Sequence, residues 1–151
     1  MEKSILHDEQ TKIGPSPVTE YGAGIHRIAQ ICYEGENGVL LLEYPFQFDP
    51  DSRYLVTTSL LKDKKAKDIH SKCTLNSKIT NNLTIIGGVH LGMSRADLKT
   101  IWGTPSKVAP GVLIYVLRRA TDEYFTDDVM IYAEFKNDKL TYVEVSRASI
   151  H

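Results

Sequence analysis

The sequence predicts an α+β domain: an antiparallel β-sheet of meanders and hairpins, with one or two short helices packed on one face. Three observations carry this. Segments 25–34 (IHRIAQICYE), 129–135 (VMIYAEF) and 140–146 (LTYVEVS) alternate in the two-residue period of a strand. Turn signals separate such segments at Glu36-Asn37-Gly38 and at Lys136-Asn137-Asp138-Lys139. The stretch 87–105, GGVHLGMSRADLKTIWGTP, carries start and stop signals for one short helix.

Taken in order, residues 1–20 read as a flexible leader, polar and broken by Gly14, Pro15 and Pro17. Residues 21–151 read as one domain. In segment 25–34, Ile28, Gln30 and Cys32 share one face, and Ala29, Ile31 and Tyr33 the other. Segment 39–44 (VLLLEY) completes a hairpin, and Pro45 and the Asp49-Pro50-Asp51-Ser52 cluster end it. Segment 53–61 (RYLVTTSLL) is a third strand by its β-branched and aromatic content, and 63–72 is loop. Leu75, Ile79 and Leu83 recur every fourth residue, which allows a short helix over 74–84.

In 87–105, Gly87 and Gly88 free the backbone to turn, and Val89 to Leu91 make a short extended piece. Ser94 is the N-cap, with Asp97 placed to return a bond to its N–H and to meet the positive end of the helix dipole. Leu98, Ile101 and Trp102 form one apolar stripe, so Trp102 is expected to dock the helix on the sheet. Gly103 suits the left-handed C′ position, and Pro105 prevents the helix from resuming. The expected helix is roughly eight to ten residues long. Segments 112–118, 129–135 and 140–146 then form a three-stranded meander. In the last strand Leu140, Tyr142, Glu144 and Ser146 alternate against Thr141, Val143 and Val145.

The 151 residues, 42% hydrophobic, suffice for one core. A net charge of −1 gives no reason to expect a nucleic-acid or anionic-membrane partner, and the run Lys62, Lys64, Lys65, Lys67 reads as a solvated loop. No apolar run approaches the roughly eighteen residues of a membrane span. The polar start leaves two histories open: a cytoplasmic protein, or a secreted one whose signal peptide lies outside this sequence. Cys32 and Cys73 match no zinc or redox spacing. They are compatible with a disulfide enclosing about 42 residues, or with two separate buried thiols.

The string LGMSRADLKTIWGTPSKV, followed by VLIYV and IYAEFKNDKLTYVEVS, resembles the SmpA/OmlA (BamE) family of outer-membrane-assembly lipoproteins. It also looks like the related fold of the β-lactamase inhibitor protein. The likeness covers residues 87–146. Trp102 stands where the family usually has Leu, Asn137-Asp138 replaces a Gly-containing turn, and no lipobox cysteine lies near the N-terminus. The resemblance implies a periplasmic or secreted, non-enzymatic domain that binds another protein. In an oxidising periplasm it further implies a Cys32–Cys73 disulfide.

No GxSxG, HExxH, CxxC, P-loop or GxGxxG occurs, and the five histidines lack metal-ligand spacing. No catalytic residue, metal or cofactor is therefore assigned. Asp49, Asp51 and Ser52 read as a turn rather than a calcium loop, since Pro50 interrupts them. Asp122, Glu123, Tyr124, Phe125, Asp127 and Asp128 form an acidic loop around two aromatics, a composition suited to protein recognition. The leading expectation is an inhibitor or immunity protein of an envelope-targeted enzyme or toxin. A structural role in envelope maintenance, as an assembly component, and a small hydrolase or ligand-binding domain are the alternatives.

Overall fold

The computed structural model describes residues 14–23, 27–36, 38–45, 54–80, 83–120 and 126–150. Among these residues nine strands form one sheet: β1 Thr19–Tyr21, β2 Ile28–Gly35, β3 Gly38–Pro45, β4 Tyr54–Leu61, β5 Cys73–Leu75, β6 Lys107–Ala109, β7 Val112–Ala120, β8 Thr126–Lys136 and β9 Lys139–Ile150. Their spatial order is β1-β2-β3-β4-β9-β8-β7-β6, and β5 pairs in parallel with β2. All other pairings are antiparallel. The two meanders become one sheet because β4 and β9 pair along their length, from Tyr54 opposite Ser149 to Leu61 opposite Tyr142.

The α+β expectation with its packed helices is thereby corrected to a predominantly antiparallel β architecture. Among the described residues the one α-helix is α1, Arg95–Trp102. The second helix, expected over 74–84, does not form. Its first residues are drawn into β5, where Cys73 lies opposite Cys32 in register and is joined to it by a disulfide. Leu75 is 79% exposed while Ile79 is buried, so the fourfold spacing does not mark one face.

Helix α1 follows its local signals closely. Ser94 Oγ accepts from the Asp97 N–H at 3.1 Å, and Gly103, at φ 78°, donates its N–H to the Lys99 carbonyl. The Asp97 carboxylate does not make the expected bond to the Ser94 N–H, and the next N–H, that of Arg95, is capped from outside the helix by Asp138 Oδ1 at 3.2 Å. Leu98 is fully buried, and Trp102 meets Tyr115 edge to face at 5.7 Å. The Tyr115 hydroxyl donates to the Gly103 carbonyl, locking the helix end to β7. Pro105 lies two residues beyond, where the chain leaves for β6.

Segment 79–102 covers one sheet face. Ile79, Val89, Met93 and Leu98 join Ile31, Tyr33, Leu42, Leu60, Leu113, Ile131 and Val143 in the larger core. Leu140 belongs to this core together with Val143 and Val145, against the expected alternation. Phe135 faces Leu140 and Glu134 faces Tyr142, so Thr141 is the extra residue of a bulge that shifts the phase of β9. The opposite face holds a smaller cluster of Cys32, Val39, Leu41, Leu61 and Tyr142. Part of the segment read as leader is fastened too: Ser16 Oγ donates to the Cys32 carbonyl, and Tyr33 donates to the Gly14 carbonyl.

Candidate functional site

After β4 the chain crosses the face opposite α1 as a strap, residues 62–72, before entering β5. Its fastening is polar. Gln30, fully buried in β2, accepts at Oε1 from the His70 and Ser71 N–H groups, at 2.6 and 2.9 Å. Its Nε2 donates to the Asp68 carbonyl and to Glu43 Oε2. Lys67 reaches down to Glu43 Oε1 of β3 and Glu144 Oε1 of β9, both at 2.5 Å. The Glu43 carboxylate also accepts from the Tyr21 hydroxyl, and Glu144 from that of Tyr142. The lysine run is thus not uniformly solvated, since the Lys67 side chain is 21% exposed and Lys64 pairs with Glu34.

The environment shifts the proton affinities of this cluster. Burial lowers that of Lys67, but its bonds to Glu144 and Glu43 more than reverse this and hold the ammonium above its ordinary value. Burial, then the bond to Glu43, pushes the Tyr21 phenol up. Burial and the Glu144 charge do the same to Tyr142. Lys67, Glu43 and Glu144 each hold protein partners here, so the cluster works as a clamp between strap and sheet. Among the described residues, no group of three His, Cys, Asp or Glu is placed to hold a metal.

Among the described residues, nothing covers the β7–β8 half of the same face. Register places Val116 opposite Met130, Ile114 opposite Tyr132 and Val112 opposite Glu134. Val116 is 53% and Met130 50% exposed, while Ile114, Val112 and Tyr132 are half-buried. Tyr132 is held by an edge-to-face contact with Tyr142 and by donating to Glu134. The result is an apolar patch on a rigid sheet, rimmed by Glu134 and Ser146.

Of the residues expected to meet a partner, Asp122, Glu123, Tyr124 and Phe125 lie outside the described residues, between the paired ends Ala120 and Thr126 of β7 and β8. The Asp49-Pro50-Asp51-Ser52 turn also lies outside them. Asp127 and Asp128 belong to β8 at positions facing Arg119 and Arg118. Ser94, Asp97, Trp102 and Gly103 hold α1 in place. The Gln30, Glu43 and Lys67 network was missed, although polar residues inside AQIC and LLEY were its signal. No family model, curated protein or solved structure matches the chain.

Proposed function

We propose that this protein is a non-enzymatic protein-binding domain that docks a partner on the bare β7–β8 half of its sheet. One observation carries the reading: the facing pair Val116 and Met130 stays half exposed on a face whose other half is closed by a fastened strap. Contiguous exposed apolar surface rimmed by polar residues is a mark of interaction sites. The fixed strands beneath the patch limit the entropy cost of binding.

In sequence, the residues between the paired ends Ala120 and Thr126 of these two strands include Asp122, Glu123, Tyr124 and Phe125. This composition suits a partner with an apolar contact zone and a basic rim, as in an inhibitor or immunity protein that blocks a basic cleft. The disulfide favours an oxidising compartment, and the resemblance of residues 87–146 to envelope proteins points to the periplasm.

The test is capture from an envelope extract by the immobilised protein, with Val116→Arg/Met130→Arg as the disrupting variant. Val108→Arg, at an exposed residue of edge strand β6, is the control. A partner lost with the double variant and retained with the control supports the reading. Capture that is indifferent to both changes, or no capture at all, rejects it.

A further inference from the structure

The end of the sheet formed by the β2–β3 and β8–β9 turns carries an open basin of about 840 Å³. Lys62, Lys136, Lys139 and His90 line it, and Leu91, Gly92 and Leu140 contribute to its wall. Backbone bonds hold the wall together: the Gly92 N–H donates to the Leu140 carbonyl, and the Lys62 N–H to the Thr141 carbonyl.

Among the described residues no ion pair joins Lys62, Lys136 or Lys139 to a carboxylate, and the reason is geometric. Lys136 and Lys139 face each other directly across the hairpin, a like-charge pair that costs stability. Nearby carboxylates are engaged elsewhere. Asp138, inside that turn, is drawn to the Arg95 N–H at the start of α1. Glu34 pairs with Lys64, Asp63 accepts from the Lys65 N–H, and Glu134 accepts from Tyr132. Glu43 and Glu144 are held by Lys67. Among the described residues, Glu36 is the one carboxylate lining the basin, and no ion pair joins it to Lys62, Lys136 or Lys139. His90 Nδ1 lies 2.9 Å from the Leu91 carbonyl, which fixes the ring.

We infer that this basin binds a soluble small molecule bearing a multivalent oxyanion, of the di- or triphosphate kind. Flexible lysine ammonium groups serve as point charges for such a group and need no fixed planar geometry. The open basin leaves room beside the lysines for a ligand that extends beyond its anionic head. The half-buried Leu91 side chain offers apolar contact to that remainder. The site is separate from the β7–β8 patch and does not depend on the protein-binding reading.

The probe is sodium tripolyphosphate, titrated into the whole protein against sodium chloride at matched ionic strength. Binding is read by calorimetry and by backbone amide shifts. Saturable binding is expected, with shifts centred on Gly92, Lys139 and Thr141. Lys62→Gln/Lys136→Gln/Lys139→Gln should weaken it by about tenfold, the effect of losing three exposed charge contacts. Lys99→Gln/Lys107→Gln, outside the basin, should leave it unchanged. Absence of saturation, or equal affinity in the triple variant, overturns the inference. Lys139→Gln alone should maintain or raise Tm in salt-poor buffer, because it relieves the facing repulsion. A lower Tm would mean that Lys139 is already partnered and would also overturn it.

Discussion

Reducing the Cys32–Cys73 bond should remove about 4 kcal/mol of stability. The bond joins residues 41 apart in sequence, and the loop-entropy relation assigns that amount to a closed loop of this size. In a chain of this length the loss corresponds to a fall in Tm of about 8–16 °C. Cys32 and Cys73 face each other in register between β2 and β5, so the bond fits the native backbone with Cα atoms 4.5 Å apart. Its effect is therefore expected mainly in the unfolded chain. Urea unfolding with and without a phosphine reductant gives the comparison, since reduced thiols keep nearly the same volume in the core. The reduced protein should also show a larger m-value, because its unfolded chain opens further. Cys32→Ala/Cys73→Ala should cost more than reduction, because Cys32 is fully buried and its sulfur is then lost. A reduced protein within about 1 kcal/mol of the oxidised one would refute this reasoning, since the relation requires several times that.

Three further outcomes follow from the strap and its neighbours. Gly35→Ala should destabilise by about 3 kcal/mol, because a Cβ there would lie 1.8 Å from the Ile79 carbonyl oxygen; a urea midpoint close to wild type would contradict that contact. Lys67→Met should cost about 3 kcal/mol by leaving the nearly buried Glu43 carboxylate without its cation. Adding Glu43→Gln should recover part of the loss, and a strictly additive double variant would exclude the pairing. Stability should also fall in alkali. Tyr21, Tyr142 and Lys67 all hold their protons more tightly when folded, so their contribution is complete below the unfolded values of 10.0 and 10.5 and is lost as pH rises above them. Denaturant midpoints that stay constant from about pH 9 to pH 11 would show that the cluster is not linked to folding.

Elements coded by neighbours in sequence were legible. The cap at Ser94, the stop at Gly103 and the Asn137-Asp138 turn, with φ of 53° and 56°, all have local causes. What was not legible depends on distant pairing. Nothing near RYLVTTSLL names β9 as its neighbour, yet that pairing turns two meanders into one sheet. The helical spacing of Leu75, Ile79 and Leu83 lost to a disulfide and a parallel pairing with β2, whose other strand is far away in sequence. Thr141 shows the same limit on a smaller scale, since a single bulged residue moved Leu140 to the face of Val143. For the site, local composition singled out the acidic and aromatic residues after β7, but not that Asp127 and Asp128 face arginines.

The two halves of one sheet face differ because their polar residues differ. In β2, β3 and β9, the inward positions carry Gln30, Glu43 and Glu144, which require partners once water is excluded. The strap supplies them through Lys67, Ser71 and its own backbone, so burying this half is possible only with the strap in place. In β7 and β8 the equivalent positions Val112, Ile114, Val116 and Met130 are apolar and impose no such demand, while Tyr132 and Glu134 satisfy each other. An apolar half of this kind can be covered by any complementary apolar surface, while the clamped half accepts only its own strap. Tyr142 and Glu144 of β9 touch both regions: Tyr142 contacts Tyr132, and Glu144 grips Lys67. Loosening the clamp should therefore soften the proposed docking face as well as lower stability. A Lys67→Met variant that unfolds more easily yet captures a partner with unchanged affinity would separate the two halves and leave the strap a purely structural role.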